Sequence, residues 1–600
     1  MHAAIFWGFW VLSINTIQFI MSGFVPSAHL PLLGKDQALG IAYVVFRDVF
    51  EVVVLIAVAL AGLRRLVTRP KRLTYSFEAH VILFLIAALM VTDFLINGAE
   101  AAAVNPHSAS FIEQVFGSWM LSWPVGASAV AGVTAWWVHL LALLYFLNLL
   151  PQSKHFHVVT SLFSVLFRRL DAPALKKVDL ESAAEAEKFG AENVYDFGWK
   201  YILDSYSCTE CGRCQDNCPT FFTGKELNPK LIEVDIREYL FENQRKLLSG
   251  GVEGENGIPK LLGGMISHQR IWDCTTCRAC EEFCPLFIEH LGPIMDMRKH
   301  LVMDKAEFPD ELGTFFKNIE TQGNPWGIGQ SNRTKWMEGL DVPIMADNPD
   351  KQVLLWIGCS ASFDARNQKI ARALVKCLKS AGIDFGYLGE EETCNGDSAR
   401  RAGNEYLFQT MAEQVVETIG QYKNLKQIIT PCPHCFNIFK NEYPEFGLKL
   451  DVKHHSTVLS KLIVERKLKP AKGNGHFKLA YHDSCYLGRY NGVYNAPRAV
   501  LAGVPGITVV EAERHHDKGM CCGAGGARMF MEEKHGSRIN HARIEQLAKN
   551  SPDGVATACP YCLTMLGDAI KETGKQDHLR ILDIAEVLAD SIEPGAAEAS

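Results

Sequence analysis

All but Cys377 of the 18 cysteines in this 600-residue chain fall into spaced sets that could bind metal. Two runs are nearly identical, each reading C-x2-C-x2-C-x3-C-P, from Cys208 to Pro219 and from Cys274 to Pro285. Three closely spaced thiolates can wrap one [4Fe-4S] cubane. Structural zinc sites pair two C-x2-C hooks and have no use for a third cysteine in register followed by Cys-Pro, so clusters are favoured over zinc.

Both runs resemble those of bacterial two-cluster ferredoxins, in which the fourth cysteine of each run crosses to the other cluster. We therefore expect an α-helical two-cluster ferredoxin-like domain at 200–300, between a polar linker at 171–199 and a polar connector at 301–350. The resemblance implies one cubane at Cys208, Cys211, Cys214 and Cys284, and a second cubane at Cys218, Cys274, Cys277 and Cys280.

Past residue 350 the chain repeats a cysteine pattern, with steps of 35 or 36 residues from each strand-end cysteine to the next motif. Buried-strand runs alternate with helical runs such as 366–380, 404–419 and 535–549. This alternation predicts two α/β cysteine-rich lobes, at 351–470 and 471–590, related by pseudo-twofold symmetry. The first lobe contains Cys359, Cys394, Cys432 and Cys435, and the second contains Cys485, Cys521, Cys522, Cys559 and Cys562.

The second lobe resembles the Cys-Cys-Gly (CCG) motif of heterodisulfide reductase catalytic subunits. The stretches HDSCYLGRYNGVYNAPR (482–498), CCGAGGARMFMEE (521–533) and TACPYCLTML (557–566) look like the branch fused to a cytochrome b domain, which includes bacterial membrane-bound electron-transfer-flavoprotein:quinone oxidoreductases. The resemblance implies a non-cubane [4Fe-4S] cluster at the five cysteines of the second lobe, as its catalytic centre. The first lobe departs from the pattern because Asn395 replaces the second cysteine of the pair. Its four thiolates leave a further cluster, a zinc ion or an empty scaffold open.

The first quarter of the chain is apolar and predicts an α-helical transmembrane bundle within residues 1–170. Lysine and arginine cluster between the second and third apolar stretches and after the fourth, whereas residues 98–124 contain neither. The positive-inside rule then predicts a multi-pass protein of the inner (cytoplasmic) membrane, with both termini and all cysteine regions in the cytoplasm. The apolar stretches long enough to span a bilayer are 3–25, 41–63, 73–97 and 125–150.

Histidines in this bundle predict b-type haem, because imidazole in hydrocarbon is expensive and usually coordinates something. His2 and His157 lie at the same cytoplasmic depth and form a plausible axial pair. His139 lies deeper, and its nearest match in depth is His80, which would give a second haem. If one helix carried both His139 and His157, His155 would point away from their shared face. The quarter resembles the gamma subunit of respiratory nitrate reductase and related cytochrome b subunits, which hold haem by two-His ligation.

Four charged residues also lie within the apolar stretches. Arg47, Asp48 and Glu51 are in the second, and Asp93 is in the third. They either line a quinone pocket or pair with one another.

The net charge of −7 and the lack of a basic block argue against nucleic acid as a partner. No G-x-G-x-x-G follows a strand, so the electron donor is expected to be another protein or a diffusible reductant. With the resemblance, these patterns predict an oxidoreductase that passes electrons from a soluble flavoprotein, electron transfer flavoprotein first, to membrane (mena)quinone. Two alternatives remain: a disulfide-cleaving enzyme like heterodisulfide reductase, and a membrane relay subunit for a flavin dehydrogenase such as a 2-hydroxyacid oxidase.

Overall fold

The computed structural model describes residues 1–25, 28–34, 37–104, 110–471 and 476–592. Part of the loop at 98–124 and the start of the predicted second lobe, at 105–109 and 472–475, lie outside the described residues. The chain divides into two compact units. The first is Met1–Phe163 with Tyr206–Gly212, and the second is Ser164–Ser205 with Arg213–Ser600.

The first unit is helical. Three of its helices, α1, α3 and α5, are long and apolar enough to cross a membrane by length and composition. Helix α2 is equally long but has three charged residues near its middle, Arg47, Asp48 and Glu51. The helices up to the exit from this unit are α1 (His2–Phe24), α2 (Ala38–Leu63), α3 (Phe77–Val104), α4 (Phe111–Met120), α5 (Ala127–Leu149) and α6 (His157–Leu166).

Helix α3 is central in this bundle and packs against α2, α4 and α5, while α1 packs against α2. Small residues allow close approach of helices where no hydrophobic effect drives them together. Gly8 of α1 shows this, since a Cβ atom there would lie 2.1 Å from Val54 Cγ2 of α2. Helix α5 ends at Leu149, and two short 3-10 turns separate it from α6. The sequence-based idea of one continuous helix carrying both His139 and His157 is therefore wrong, because Pro151 lies in the first of these turns.

Short helices surround the cysteine runs of the predicted ferredoxin-like domain. Cysteine loops need irregular backbone, and Gly212, Thr276 and Arg278 have positive φ in these runs. The stretch predicted as a polar connector also contains α15, which buries Leu312 and Phe315 in the core of the second unit. The helices here are α7 (Leu180–Glu185), α8 (Trp199–Ser207), α9 (Arg213–Asn217), α10 (Pro219–Phe222), α11 (Pro229–Leu248), α12 (His268–Trp272), α13 (Ala279–Glu282), α14 (Leu291–Lys299) and α15 (Asp310–Gln322).

The first cysteine-rich lobe has a parallel three-stranded sheet of order β1-β2-β3. Its strands are β1 (Val353–Leu355), β2 (Gln427–Thr430) and β3 (Asp451–His454). Because the carboxyl ends of parallel strands meet at one edge, cysteines placed after successive strands come together there. The helices are α16 (Gly358–Phe363), α17 (Gln368–Ser380), α18 (Asp397–Ala402), α19 (Glu405–Gly420), α20 (Pro433–Asn441) and α21 (His455–Val464).

The second lobe repeats this plan with a parallel sheet of order β5-β4-β6-β7. Its extra strand, β5, pairs with β4, and the first lobe has an isolated parallel bridge, Leu354 to Gly386, at the corresponding place on β1. The strands are β4 (Phe477–Tyr481), β5 (Ile507–Val510), β6 (Gly554–Thr557) and β7 (Arg580–Asp583). The helices are α22 (Asn495–Ala502), α23 (Ile539–Ala548), α24 (Pro560–Glu572) and α25 (Ile584–Ser591).

The two lobes share one hydrophobic core rather than folding around separate ones. Helix α17 of the first lobe packs against α25 of the second, with Leu374 and Leu378 fully buried in the same cluster as Leu588. Arg366 ties the lobes further through its ion pair with Glu586 at 2.8 Å. The lobes are therefore held at a fixed spacing by their own packing.

Candidate iron–sulfur relay and membrane histidines

The second unit brings the fourth cysteine of each ferredoxin-like run beside the opposite run. Cys218 lies with Cys274, Cys277 and Cys280 of the later run. In the other direction, His290 contacts the thiols of both Cys214 and Cys284. This exchange is the arrangement that the ferredoxin resemblance implies. The remaining two cysteines of the runs, Cys208 and Cys211, are in the segment Tyr206–Gly212 of the first unit.

The five cysteines of the second lobe form a continuous buried group. Cys521 contacts both Cys485 and Cys522, and Cys522 Sγ lies 3.3 Å from Cys562 Sγ. Cys559 completes the group through its contact with Cys562. The backbone N–H of Gly523, which has φ +99°, donates to Cys521 Sγ at 3.3 Å. A positive-φ glycine and buried thiols with backbone donors fit a cluster, since N–H donors to sulfur help to set its reduction potential.

This group also touches the ferredoxin-like run, because the thiols of Cys521 and Cys277 are in direct contact. Two glycines make the approach possible. A Cβ atom on Gly525 would lie 2.3 Å from the Thr275 carbonyl oxygen, and one on Gly526 would lie 2.3 Å from the Cys274 carbonyl oxygen. Any side chain at these positions would therefore push the two cysteine loops apart.

A buried cation lies at this junction. Arg489 donates from Nε to the Cys277 carbonyl at 2.6 Å and from Nη1 to the Gly519 carbonyl at 2.7 Å. Its charge faces the thiols of Cys277, Cys485 and Cys521. The guanidinium thus stabilises negative charge on both cysteine groups.

The first lobe brings its four cysteines together in the same way. Cys359 contacts Cys394, Cys432 contacts Cys435, and the two pairs interact with each other. As in the second lobe, a positive-φ glycine follows the motif cysteine, and the N–H of Gly396 donates to Cys394 Sγ at 3.4 Å. The four buried thiols fit a metal ion or cluster by donor type and number.

An arginine from the predicted connector completes this site. Arg333 Nη2 lies 3.5 Å from Cys359 Sγ, and Nη1 donates to Glu392 Oε1 at 2.8 Å. Burial by itself raises the pKa of the Cys359 thiol, but hydrogen bonding from Cys394 and the Arg333 charge outweigh it and lower that pKa to about 6. A thiol held as thiolate is prepared for metal binding, because ligation requires its deprotonation.

Aromatic side chains connect the two lobes between their cysteine groups. His434, inside the C-x2-C pair of the first lobe, stacks on Tyr486 of the second lobe with ring centroids 4.0 Å apart. Tyr561, inside the C-x2-C pair of the second lobe, lies 5.1 Å from His434 and faces the cysteines of the first lobe. Each lobe therefore contributes a side chain to the surroundings of the other lobe's cysteines.

In the first unit, three of the histidines form one cluster. The His2 and His157 rings are stacked with centroids 5.6 Å apart. A metal–imidazole bond of about 2 Å on each side gives roughly this separation for two axial ligands on one iron, so the pair fits haem ligation. His155, expected to point away, instead lies edge-on to His157 with centroids 5.6 Å apart. It does so because the chain turns between α5 and α6.

His139 and His80 are not brought together. His139 Nδ1 is 2.9 Å from the Thr92 hydroxyl of α3, whereas His80 Nδ1 is 3.1 Å from the Ser76 carbonyl. Thr92 lies twelve residues beyond His80, about 18 Å along an α-helix. The predicted match in depth between His139 and His80 is therefore wrong. No second imidazole contacts His139 among the residues that the structure describes.

The charged residues of the bundle pair with one another. Arg47 contacts Asp48 at 2.9 Å and Glu51 at 3.3 Å, and Glu51 contacts Asp93. Beside this network, a groove of about 810 Å³ lies between α3 and α5 and includes Thr92, the partner of His139. Its lining is otherwise largely apolar, as is typical of a site for a hydrophobic ligand.

Comparison with known proteins agrees with this construction. The 4Fe-4S dicluster domain matches residues 204–288, and the Cysteine-rich domain matches twice, at 353–440 and 479–567. The chain is 40% identical to the EtfAB:quinone oxidoreductase of Syntrophomonas wolfei, over 99% of this chain and 88% of that protein. It is 38% identical to the Probable iron-sulfur-binding oxidoreductase FadF of Bacillus subtilis, over 98% of this chain and 88% of that protein.

This chain belongs to the heterodisulfide-reductase-related iron–sulfur oxidoreductases of the EtfAB:quinone oxidoreductase type. The dihydromethanophenazine:CoB–CoM heterodisulfide reductase of Methanosarcina barkeri has one polypeptide that is 29% identical over 65% of this chain and 95% of its own length. As a member of this family, the protein is an oxidoreductase that binds [4Fe-4S] clusters. A Probable membrane-anchored ferredoxin of Chromohalobacter salexigens, 36% identical over 71% of this chain and 65% of that protein, agrees with membrane association.

Several residues of this oxidoreductase's sites escape sequence reasoning. Arg333 lies in a stretch that looks like a solvated connector, and nothing in its spacing marks it. Arg489 lies four residues after Cys485, so inspection of charged residues near each cysteine could have found it. His290, six residues after Cys284, could have been found in the same way.

Proposed function

We propose that this chain accepts electrons from reduced electron transfer flavoprotein and delivers them to quinone in the cytoplasmic membrane. The observation that carries the proposal is the contact between Cys277 and Cys521, which joins the cysteine-rich lobe to the ferredoxin-like run inside one rigid core. The likeness to a protein named EtfAB:quinone oxidoreductase supports the choice of donor and acceptor.

In this proposal the cysteines hold three clusters. The bound clusters and haem supply one-electron transfer, and the protein sets their spacing, charge and access. A non-cubane cluster takes the five cysteines of the second lobe, and the first lobe holds a further cluster or zinc at its four. The two cubanes take the crossed ligand sets that the ferredoxin resemblance implies.

His2 and His157 are the proposed haem b ligands in the membrane domain. Their stacked geometry supports this pair. His139 remains a candidate for a second haem or for the quinone itself, since Thr92 fixes its Nδ1 and leaves Nε2 for another partner. We place the quinone in the groove lined by Thr92 and Thr134, where a mostly apolar lining suits the ring and tail. Glu51, whose Oε2 is buried without a hydrogen-bond partner among the described residues, is the proposed source of a proton.

The test uses purified protein, reduced electron transfer flavoprotein and a short-chain quinone, with the haem Soret band and quinol formation as readouts. Cys521→Ala should abolish reduction by the flavoprotein. Cys377→Ala is the matched control, because Cys377 is fully buried in the same unit but lies outside every cysteine group. Absence of haem reduction in the unaltered protein would refute the proposal. Turnover of a disulfide, or activity only with a co-purified 2-hydroxyacid oxidase, would favour the two other functions.

A further inference from the structure

His482 is a buried side chain that none of the roles above uses. It follows strand β4, where its backbone N–H donates to the Ala556 carbonyl at 2.8 Å and so extends the pairing with β6. The side chain is 0% exposed. A ring nitrogen of His482 and the sulfur atoms of Cys522 and Cys562 all lie within 4.8 Å of one another. The imidazole is therefore part of the wall around the five-cysteine group.

Arg543 determines where the proton on this imidazole resides. Its Nε donates to His482 Nδ1 at 3.1 Å, and its Nη1 is itself fixed by the Arg514 carbonyl at 3.0 Å and Gln546 Oε1 at 3.1 Å. A guanidinium has donors only, so Nδ1 must accept and cannot carry a proton. The neutral ring then carries its single proton on Nε2.

The Nε2 atom is buried and has no hydrogen-bond partner among the described residues. Buried N–H groups without an acceptor are rare in folded proteins, so each one requires an explanation. A nitrogen that carries a proton cannot ligate iron, but it can donate to a sulfur. Sulfur atoms are the acceptors that the neighbouring cysteines and their cluster provide.

We propose that His482 donates an Nε2–H hydrogen bond to the sulfur of the cluster held at Cys522 and Cys562, and that it thereby raises the reduction potential of this cluster. Hydrogen bonds to sulfur stabilise the reduced, more negative state. His482 is thus a positioning and tuning residue, with Arg543 as the residue that fixes its tautomer. The inference rests on the proposed cluster at the second lobe, but not on the identity of the electron donor or acceptor.

The test is a redox titration of the isolated full-length protein followed by electron paramagnetic resonance. His482→Leu removes the donor while keeping an apolar side chain of similar size. His482→Gln keeps an amide N–H that can reach the same position. In His482→Leu, the ratio of reduced to oxidised cluster at a fixed potential should fall about tenfold, which is 59 mV for one electron. His482→Gln should recover part of this, and the two cubanes in the same sample serve as internal controls.

A second measurement needs no substitution. In the unaltered protein, exchange into deuterium oxide should introduce one deuteron coupled to the cluster, and ¹⁵N-histidine labelling should give a weak nitrogen coupling. This result decides the matter if either variant loses its cluster. Strong ¹⁵N coupling, as from a direct ligand, would overturn the proposal, and so would an unchanged potential in His482→Leu. Iron content and the signal of the unaltered protein show separately whether the cluster itself is present, so failure of the proposed function is distinguishable.

Discussion

Replacement of Arg489 by methionine should lower the reduction potentials of the second cubane and of the cluster in the second lobe together. The side chain is 8% exposed, and it has backbone carbonyls as its hydrogen-bond acceptors instead of a carboxylate. Its positive charge is therefore available to Cys277, Cys485 and Cys521. Each electron added to either cluster is stabilised by that charge.

The size of the effect follows from Coulomb's law. A unit charge about 6 Å away at an effective dielectric constant of about 20 is worth roughly 2.8 kcal/mol. One electron converts this to about 120 mV, and relaxation around the methionine reduces it to an expected range of about 60 to 120 mV. Arg489→Lys keeps the charge but cannot form the same fork of bonds to the Gly519 and Asp517 carbonyls.

The assay is an anaerobic redox titration of the purified protein, with each cluster followed by its own electron paramagnetic resonance signal. Arg489→Met should move both potentials down, and Arg489→Lys should leave them within about 30 mV of the unaltered protein while lowering thermal stability. Equal shifts in the two variants would show that Arg489 acts through backbone packing and not through its charge. An unchanged potential in Arg489→Met would refute the electrostatic reasoning altogether.

Three further substitutions test other parts of the structure. Asn395→Cys completes five thiols in the first lobe and should double the spin count of the second-lobe type of cluster signal; an unchanged count would contradict the equivalence of the lobes. Gly525→Ala places a Cβ 2.3 Å from the Thr275 carbonyl and should weaken spin coupling between the adjoining clusters, whereas Gly567→Ala, with its nearest contact at 3.5 Å, should not. Arg333→Leu leaves a buried carboxylate without its cation and should destabilise the protein by about 3 to 5 kcal/mol, seen as a lower unfolding temperature and loss of metal from the first lobe.

The sequence predicts the cysteine groups well because each group is built from short, regularly spaced motifs. The steps of 35 or 36 residues correspond to strand–helix units, so that Cys359 and Cys432 meet at one edge of a parallel sheet. The long apolar helices are predictable for the same reason, since length and composition alone identify them. Local pattern and fold agree wherever one element supplies the whole signal.

Contacts between distant segments are not predictable from spacing. The meeting of Cys277 with Cys521 depends on 243 intervening residues and on the shapes of two loops. The helical pattern misplaces His155 because two 3-10 turns interrupt the helix, and a single proline does not reveal how the chain continues. Arg333 acts on a cysteine group from a stretch whose composition is typical of a linker. Such positions follow from tertiary packing, which a single sequence does not encode in any short motif.

The geometry at Arg298 explains why these distant contacts are reproducible. Its guanidinium is fully buried and donates to the carbonyl of Cys274 at 2.6 Å, of Arg401 at 2.7 Å and of Gly526 at 3.0 Å. One side chain thus fixes the ferredoxin-like run, the first lobe and the second lobe relative to one another, and each of these bonds to a charged donor is stronger than a neutral one. Electron transfer depends steeply on spacing, so this rigid junction keeps the internal route constant whichever donor docks outside. Variation among relatives should therefore concentrate on exposed surfaces, and substitution of Arg298 should impair electron transfer with every donor equally.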